Sequence, residues 1–255
     1  MCFDDEARPP IAPIAGGALD AGETILTAAD GNRLRAYRAR AAEPTGAGIV
    51  ILPDVRGLHP YYEELALRFA ETGIDAVAID YFGRTAGIAP RGADFEYMPH
   101  VSQTTFAGLS ADIRAGAAFA RSSDGGAVGH LFVVGFCFGG RNAFVATTLD
   151  LGLAGAIGFY GIPVGSGRND VPAPIDVVDR MASPILGLFG GADQAISEDA
   201  RATFEAGLSR AGVDHRLVTY PGAPHSFFDK RADEYAEASA AAWQETLAFI
   251  RAHAG

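Results

Sequence analysis

The sequence predicts an α/β protein with a mostly parallel central sheet and helices on both of its faces. Short, almost wholly apolar runs recur along the chain, as expected for strands that are buried on both faces of a parallel sheet. These runs alternate with segments of helical spacing, which is typical of crossover connections between parallel strands. Because no repeat, low-complexity tract or linker interrupts the alternation, we expect a single domain over residues 23–255.

The N-terminal part of the chain is expected to differ from the rest. Residues 1–22 are rich in proline and glycine and show no period, which favours an extended tail. Two predicted strands follow, at 24–28 and 34–40, and they flank the turn residues Asp30-Gly31-Asn32. We therefore expect an antiparallel hairpin ahead of the parallel strands.

The remaining elements are predicted in alternation. The expected strands are 48–52, 75–79, 130–134, 154–159, 184–189 and 215–220. The expected helices are 61–72, 110–120, 138–148, 198–210 and 233–253. The first of these helices places Leu65 and Phe69 on one face and stops at Gly73, a residue type that commonly ends helices.

Composition and charge exclude several classes of function. Of the 255 residues, 49% are hydrophobic, which is too many for an intrinsically disordered chain. The formal net charge of -11 argues against nucleic acid or an anionic membrane as a partner, since either would need clustered positive charge. No apolar run reaches the roughly 18 residues that a membrane-spanning helix needs.

The two cysteines, Cys2 and Cys137, are too few for a disulfide framework, and neither has the spacing of a metal site. The first residues are acidic where a secretory signal would be basic and then apolar. We therefore expect a soluble, cytoplasmic protein with a reduced thiol. The sequence does not indicate an oligomeric state.

The segment around Cys137 carries the strongest functional signal. Gly135 and Gly139 lie two residues on either side of it, which matches Gly-x-nucleophile-x-Gly with cysteine in place of serine. A sharp turn from strand to helix would expose the central side chain and leave no room for side chains at the two glycines. The helix N-terminus favours negative charge on a thiol or an oxyanion. The alternatives are a phosphate-binding loop, whose motifs are absent, or a buried structural cysteine.

Two further residues follow predicted strands, as Cys137 does. Asp193 follows a late strand in Gly-Gly-Ala-Asp, and His225 follows the last strand in Gly-Ala-Pro-His-Ser-Phe. The order nucleophile, acid, histidine is that of the α/β-hydrolases, and the carboxyl ends of parallel strands share one edge of the sheet. Taken singly, Asp193 could be a helix cap and His225 a surface residue. Taken together they predict a catalytic triad.

These three motifs, with the C-terminal segment Ala-Trp243-Gln-Glu-Thr-Leu, resemble the dienelactone hydrolase family, a cysteine branch of the α/β-hydrolases. The resemblance runs from about Gly48 to the C-terminal helix. It implies the α/β-hydrolase fold and a triad of Cys137, His225 and Asp193. It also implies that the partner is a small-molecule ester or lactone, hydrolysed without a metal or cofactor.

The resemblance implies further roles. The family places a carboxylate beside the resting thiol, where this sequence has Asp54, and the backbone N–H groups of Val55 and Phe138 match its oxyanion hole. The family binds a substrate carboxylate with two arginines. Arg84 matches the first of them, and Asp229 stands at the position of the second.

Alternatives remain open at several of these positions. Asp54, which we expect to keep the resting thiol neutral, could be only a turn residue, and Arg84 could be only a surface residue. Tyr81 and Phe227 adjoin the site loops and are candidates for lining an apolar substrate pocket, although most such aromatics pack in a core. The same triad could also serve a thioesterase or acyltransferase. A non-catalytic protein with an inert or redox-sensing thiol on the same fold is a further alternative.

Overall fold

The computed structural model describes residues 7–92, 94–167 and 169–255. Eight strands form one sheet, in the order β1-β2-β4-β3-β5-β6-β7-β8. They are β1 (Ala18–Thr27), β2 (Arg33–Ala41), β3 (Ala47–Leu52), β4 (Asp75–Ile79), β5 (His130–Phe136), β6 (Gly155–Phe159), β7 (Ile185–Gly190) and β8 (His215–Tyr220). β2 is antiparallel to both β1 and β4, and the other neighbouring strands are parallel. This confirms the predicted fold class and the N-terminal hairpin.

Seven α-helices and one 3-10 helix lie in the described part of the chain. The α-helices are α1 (Pro60–Ala70), α2 (Gly83–Ala86), α3 (Tyr97–Gln103), α4 (Phe106–Arg121), α5 (Phe138–Ala146), α6 (Glu198–Ala211) and α7 (Ala236–His253), and the 3-10 helix is Pro174–Arg180. The sequence did not predict α2, α3 or the 3-10 helix. They are short and lie in long connections, where no sustained apolar period exists to reveal them. Within the described ranges, no helix is long and apolar enough to cross a membrane.

Helices cover both faces of the sheet, and two glycines of β6 show this directly. A Cβ atom at Gly155 would meet the ring of Phe249 on α7, whereas one at Gly158 would meet the ring of Phe144 on α5. Residues three apart in a strand point to opposite faces, so α5 and α7 lie on opposite sides. Every residue of β3, β4, β6 and β7 is buried between these layers.

The N-terminal segment joins the fold earlier than predicted. β1 begins at Ala18, which pairs with Ala41, so the extended tail ends before residue 18 and not at residue 22. Its described part, from residue 7, lies along α1, where Arg8 forms an ion pair with Glu64 at 2.8 Å. The prediction for Cys2 lies outside the described residues.

Candidate active site

Cys137 occupies a strained turn between β5 and α5. Its backbone has φ 53° and ψ -109°, in the left-handed half of conformational space that non-glycine residues seldom adopt. A Cβ atom at Gly135 would lie 2.0 Å from the carbonyl oxygen of Gly139, and one at Gly139 would lie 2.0 Å from that of Leu52. No side chain fits at either position, which is the reason for the two glycines. The turn leaves the Cys137 thiol half-buried at the wall of a cavity of about 930 Å³.

Asp193 and His225 meet at the same edge of the sheet. Asp193 follows β7, its carboxylate is buried, and one oxygen accepts the backbone N–H of Ala195 at 2.8 Å. The other oxygen lies 2.7 Å from Nδ1 of His225, which follows β8. His225 lines the same cavity as Cys137, close enough for the sulfur to influence the imidazole electrostatically. The structure therefore joins Asp193 and His225 by a hydrogen bond and places both at the wall of the cavity that Cys137 also lines.

The surroundings of His225 favour its protonated form. Burial opposes protonation, but the hydrogen bond with Asp193 and the negative charges of Cys137 and Asp193 outweigh it and raise the pKa of His225 to about 10. The contribution of the negative charge on Cys137 exists only after the thiol has lost its proton, so the imidazole can accept that proton and then hold it beside the thiolate.

Val55 and Phe138, the predicted donors of an oxyanion hole, both line the cavity next to Cys137. The loop before Val55 is fixed by two buried tyrosines. The backbone N–H of Asp54 donates to the hydroxyl of Tyr62 at 3.0 Å, and the Tyr81 hydroxyl donates to the carbonyl oxygen of Pro53 at 2.9 Å. Both hydroxyl groups therefore help to hold the Val55 amide in place.

The structure does not place Tyr81 or Phe227 in the cavity wall, where they were predicted. The ring of Tyr81 is buried and packs edge-on against that of Phe138, with centroids 5.4 Å apart. Phe227 is fully buried between Tyr160 and Tyr220. Both predictions fail for the same reason, because each residue adjoins a site loop in sequence while its side chain points into the core.

Arg84 is also directed away from the cavity. Its guanidinium binds the buried carboxylate of Asp112 at 2.8 Å and also pairs with Asp30 in the hairpin turn. These two partners fix Arg84 between α4 and the hairpin. Arg84, the predicted partner of a substrate carboxylate, is therefore bound to carboxylates of the protein itself and does not line the cavity.

Asp54 shares the cavity wall with Cys137, but its carboxylate is occupied by Arg56. It accepts the backbone N–H of Arg56 at 2.8 Å, Nε at 3.1 and 3.2 Å, and one terminal nitrogen at 2.7 Å. Burial would raise the pKa of Asp54, but the His59 ring, whose Nε2 lies 4.0 Å away, and the hydrogen bonds and charge of Arg56 hold it well below the usual range. The carboxylate that the resemblance places beside the thiol thus forms an ion pair with Arg56.

Sequence reasoning missed two arginines at the site. Arg56 joins Asp54 to Asp229, whose carboxylate lies 2.6 Å from its guanidinium. Arg141 lines the cavity and donates to the carbonyl oxygens of three residues, Ile162, Gly165 and Val171. A signal for Arg141 was available, because it lies four residues after Cys137 and hence on the same face of α5. Among the described residues, no cluster of side chains could hold a metal ion.

Comparisons with known proteins point in one direction. Residues 34–254 match the model of the dienelactone hydrolase family. The chain is 30% identical over 262 residues to a Salmonella typhimurium protein provisionally named a carboxymethylenebutenolidase, covering 98% of this chain and 95% of that one. It is 26% identical over 230 residues to a Bradyrhizobium protein provisionally named a 2-oxo-3-(5-oxofuran-2-ylidene)propanoate lactonase, covering 88% and 91%.

A solved structure agrees with these relatives. A protein from Klebsiella pneumoniae, provisionally described as a dienelactone hydrolase, superposes with a TM-score of 0.78 at 27% identity. The superposition covers 91% of this chain and 99% of that one.

Proposed function

The chain belongs to the dienelactone hydrolase family, and we propose that it cleaves small esters or lactones through a thioester on Cys137, with His225 and Asp193 completing the triad. Its family and relatives make it a carboxylic ester or lactone hydrolase. The observation that supports this mechanism is the hydrogen bond between Asp193 and His225 at the wall of the cavity that Cys137 also lines.

In the first half of the reaction, His225 takes the thiol proton and the sulfur of Cys137 attacks the substrate carbonyl carbon. The carbonyl electrons move onto oxygen, which the Val55 and Phe138 amides would stabilise by roughly 3–4 kcal/mol for each well-aimed donor. When the adduct collapses, the C–O bond breaks and His225 returns its proton to the leaving alkoxide. The product is a thioester on Cys137.

In the second half, His225 takes a proton from water, and the water oxygen attacks the thioester carbonyl. The C–S bond breaks, and the sulfur regains a proton from His225. Asp193 keeps the imidazole in one tautomer and supports its positive charge in both halves. Thiolate is a better leaving group than an amine, so adducts of amides would return to substrate, and we expect esters, lactones or thioesters to react.

Asp54 would act on the thiol through its charge. Since Arg56 binds both oxygens of the carboxylate, Asp54 is not placed to accept the thiol proton. Its negative charge lies at the same cavity wall as the sulfur and opposes negative charge there. Asp54→Asn should therefore make Cys137 react faster with iodoacetamide at neutral pH, and an unchanged alkylation rate would remove Asp54 from the mechanism.

The decisive experiment compares two cysteine variants. Cys137→Ala should abolish hydrolysis of short-chain p-nitrophenyl esters, while Cys2→Ala, which removes the other cysteine of the chain, should retain it. Mass spectrometry of the rapidly quenched Cys2→Ala protein should show an acyl group on the peptide that contains Cys137. Wild-type turnover in a folded Cys137→Ala protein would disprove the proposal.

Acyl-CoA substrates test the related activities. Faster turnover of acyl-CoA than of simple esters would indicate a thioesterase, and transfer of the acyl group to an added alcohol would indicate an acyltransferase. A thiol count that stays unchanged and unacylated with every ester and lactone would instead identify a non-catalytic thiol protein.

A further inference from the structure

A buried group of three charged side chains joins two loops of the candidate active site. Arg56 places one terminal nitrogen 2.7 Å from Asp54 and 2.6 Å from Asp229. The side chains of Arg56, Asp54 and Asp229 are 5%, 7% and 4% exposed, respectively. We refer to these three residues as the Arg56 bridge.

The bridge spans a large separation in sequence. Arg56 and Asp54 flank Val55 in the loop after β3, whereas Asp229 lies 173 residues further along, in the loop that carries His225. A buried ion pair gains little stability over apolar packing, because each charge must first leave water. A planar guanidinium does, however, fix the direction of several carboxylate contacts at once. The bridge is therefore better suited to fixing geometry than to adding stability.

Backbone hydrogen bonds connect the residues at both ends of the bridge to the turns in which they lie. On one side, Asp54 accepts the backbone N–H of Arg56, so the ion pair encloses the turn whose central residue is Val55. On the other side, the backbone N–H of Asp229 donates to the carbonyl oxygen of Ser226 at 3.1 Å. Ser226 has a φ of 58° and directly follows His225. Movement of Asp229 would thus shift the turn that sets the position of His225.

We propose that Arg56 is a positioning residue for hydrolysis. By binding Asp54 and Asp229 together, it holds the Val55 amide and the His225 imidazole in one arrangement around Cys137. This inference rests on the function proposed above. Arg56 itself does not line the cavity of Cys137 but a smaller one of about 430 Å³ beside it, so it acts through Val55 and His225 and not on the substrate.

Two conservative substitutions test this role. Arg56→Lys keeps the charge but cannot bind both carboxylates with a planar group, and Asp229→Asn keeps the shape but removes one charge. Displacement of reacting groups by about 1 Å can cost on the order of 100-fold in rate. We expect kcat for p-nitrophenyl acetate to fall about 10- to 100-fold in each variant, with KM within about threefold of wild type. Rates are to be expressed per Cys137 thiol that iodoacetamide can alkylate.

A double variant separates positioning from independent damage. If both residues act through one bridge, the double variant Arg56→Lys/Asp229→Asn should be only slightly less active than the less active of the two single variants. Arg40→Lys is the matched control, because Arg40 pairs with the buried carboxylate of Asp75 at the start of β4, at the opposite edge of the sheet. It should keep wild-type kcat.

The outcomes distinguish this inference from the function on which it rests. If hydrolysis requires Cys137 but Arg56→Lys and Asp229→Asn keep wild-type kcat per thiol, the positioning role is wrong and the proposed function stands. Lower thermal stability with unchanged kcat per thiol likewise shows a merely structural pair. Should Arg56→Lys not fold, Asp229→Asn decides alone. If Cys137→Ala hydrolyses esters as wild type does, the proposed function is wrong and the inference is wrong with it.

Discussion

Gly139 is the position where a small substitution should most clearly disturb the candidate active site. A Cβ atom there would lie 2.0 Å from the carbonyl oxygen of Leu52 and 2.3 Å from that of Pro53. Real Cβ atoms essentially never approach other heavy atoms closer than 3.0 Å, so Gly139→Ala needs about 1 Å of additional space. Both oxygens belong to the backbone, and no side-chain rotation can supply that space.

The displacement can be converted into expected effects. Separating α5 from the loop after β3 by about 1 Å moves the Val55 amide away from the Phe138 amide, which should lower kcat on the order of 100-fold. Overpacking of this kind costs about 1–3 kcal/mol of stability. Alanine is the better helix former by about 0.8–1 kcal/mol, so the net loss should be at the lower end of that range.

The measurement is turnover of p-nitrophenyl acetate per alkylatable thiol, together with urea unfolding. Gly22→Ala is the matched control, because a Cβ atom at Gly22 in β1 would meet nothing within 4 Å. It should leave kcat unchanged and should not lower the free energy of unfolding. If Gly139→Ala kept kcat within about twofold of wild type, the argument that this contact sets the oxyanion hole would be refuted, even if stability fell.

Three other substitutions test separate parts of the site. Asp193→Asn should lower kcat about 10³- to 10⁴-fold in a folded protein, because an amide cannot support the imidazolium of His225; a loss below tenfold would contradict the triad. Asp54→Asn should be less stable than wild type at pH 7, and the gap in urea midpoints should narrow as the pH falls below 3.8. Because the pKa of Asp54 is lowered in the folded protein, the unfolded chain binds this proton at a higher pH than the folded protein does, and acid removes the stability that the ion pair gives to wild type. A difference between the two urea midpoints that stayed constant with pH would count against the ion pair. Arg84→Ala should lower the free energy of unfolding by about 1–3 kcal/mol, because Asp112 stays buried without its cation, and leave the preference between anionic and neutral esters unchanged.

The order of elements was predictable because buried parallel strands carry their signal locally. β3 and β7 are continuous apolar runs, and each is followed by a segment of helical spacing or by a glycine-rich turn. The segments 83–103 and 161–180 carry no such period. Their short helices depend on tertiary contacts, such as the hydrogen bond of 2.8 Å between His100 on α3 and Thr85 on α2.

In the candidate site, too, features set by local sequence were predictable and features set by distant partners were not. The elbow at Cys137 was visible because a steric requirement at one turn appears as two glycines within five residues. The directions of Tyr81 and Arg84 were not visible, since each is set by partners from distant parts of the chain. Arg56 is adjacent in sequence to a predicted site residue, but its second carboxylate comes from the far end of the chain.

The aspartate at position 229 and the arginine at position 56 form one structural unit. A carboxylate as buried as that of Asp229 costs several kcal/mol without a cation, and Arg56 supplies the cation from the opposite loop. Because the same guanidinium also binds Asp54, Arg56 is committed to carboxylates of the protein itself. An anionic group on a substrate would therefore have to bind other cations of the cavity wall. Two of these, Arg141 and Lys230, have no carboxylate within ion-pair distance among the described residues. Since the whole chain carries a charge of -11, selectivity for anionic esters would depend on those two residues and not on Arg84.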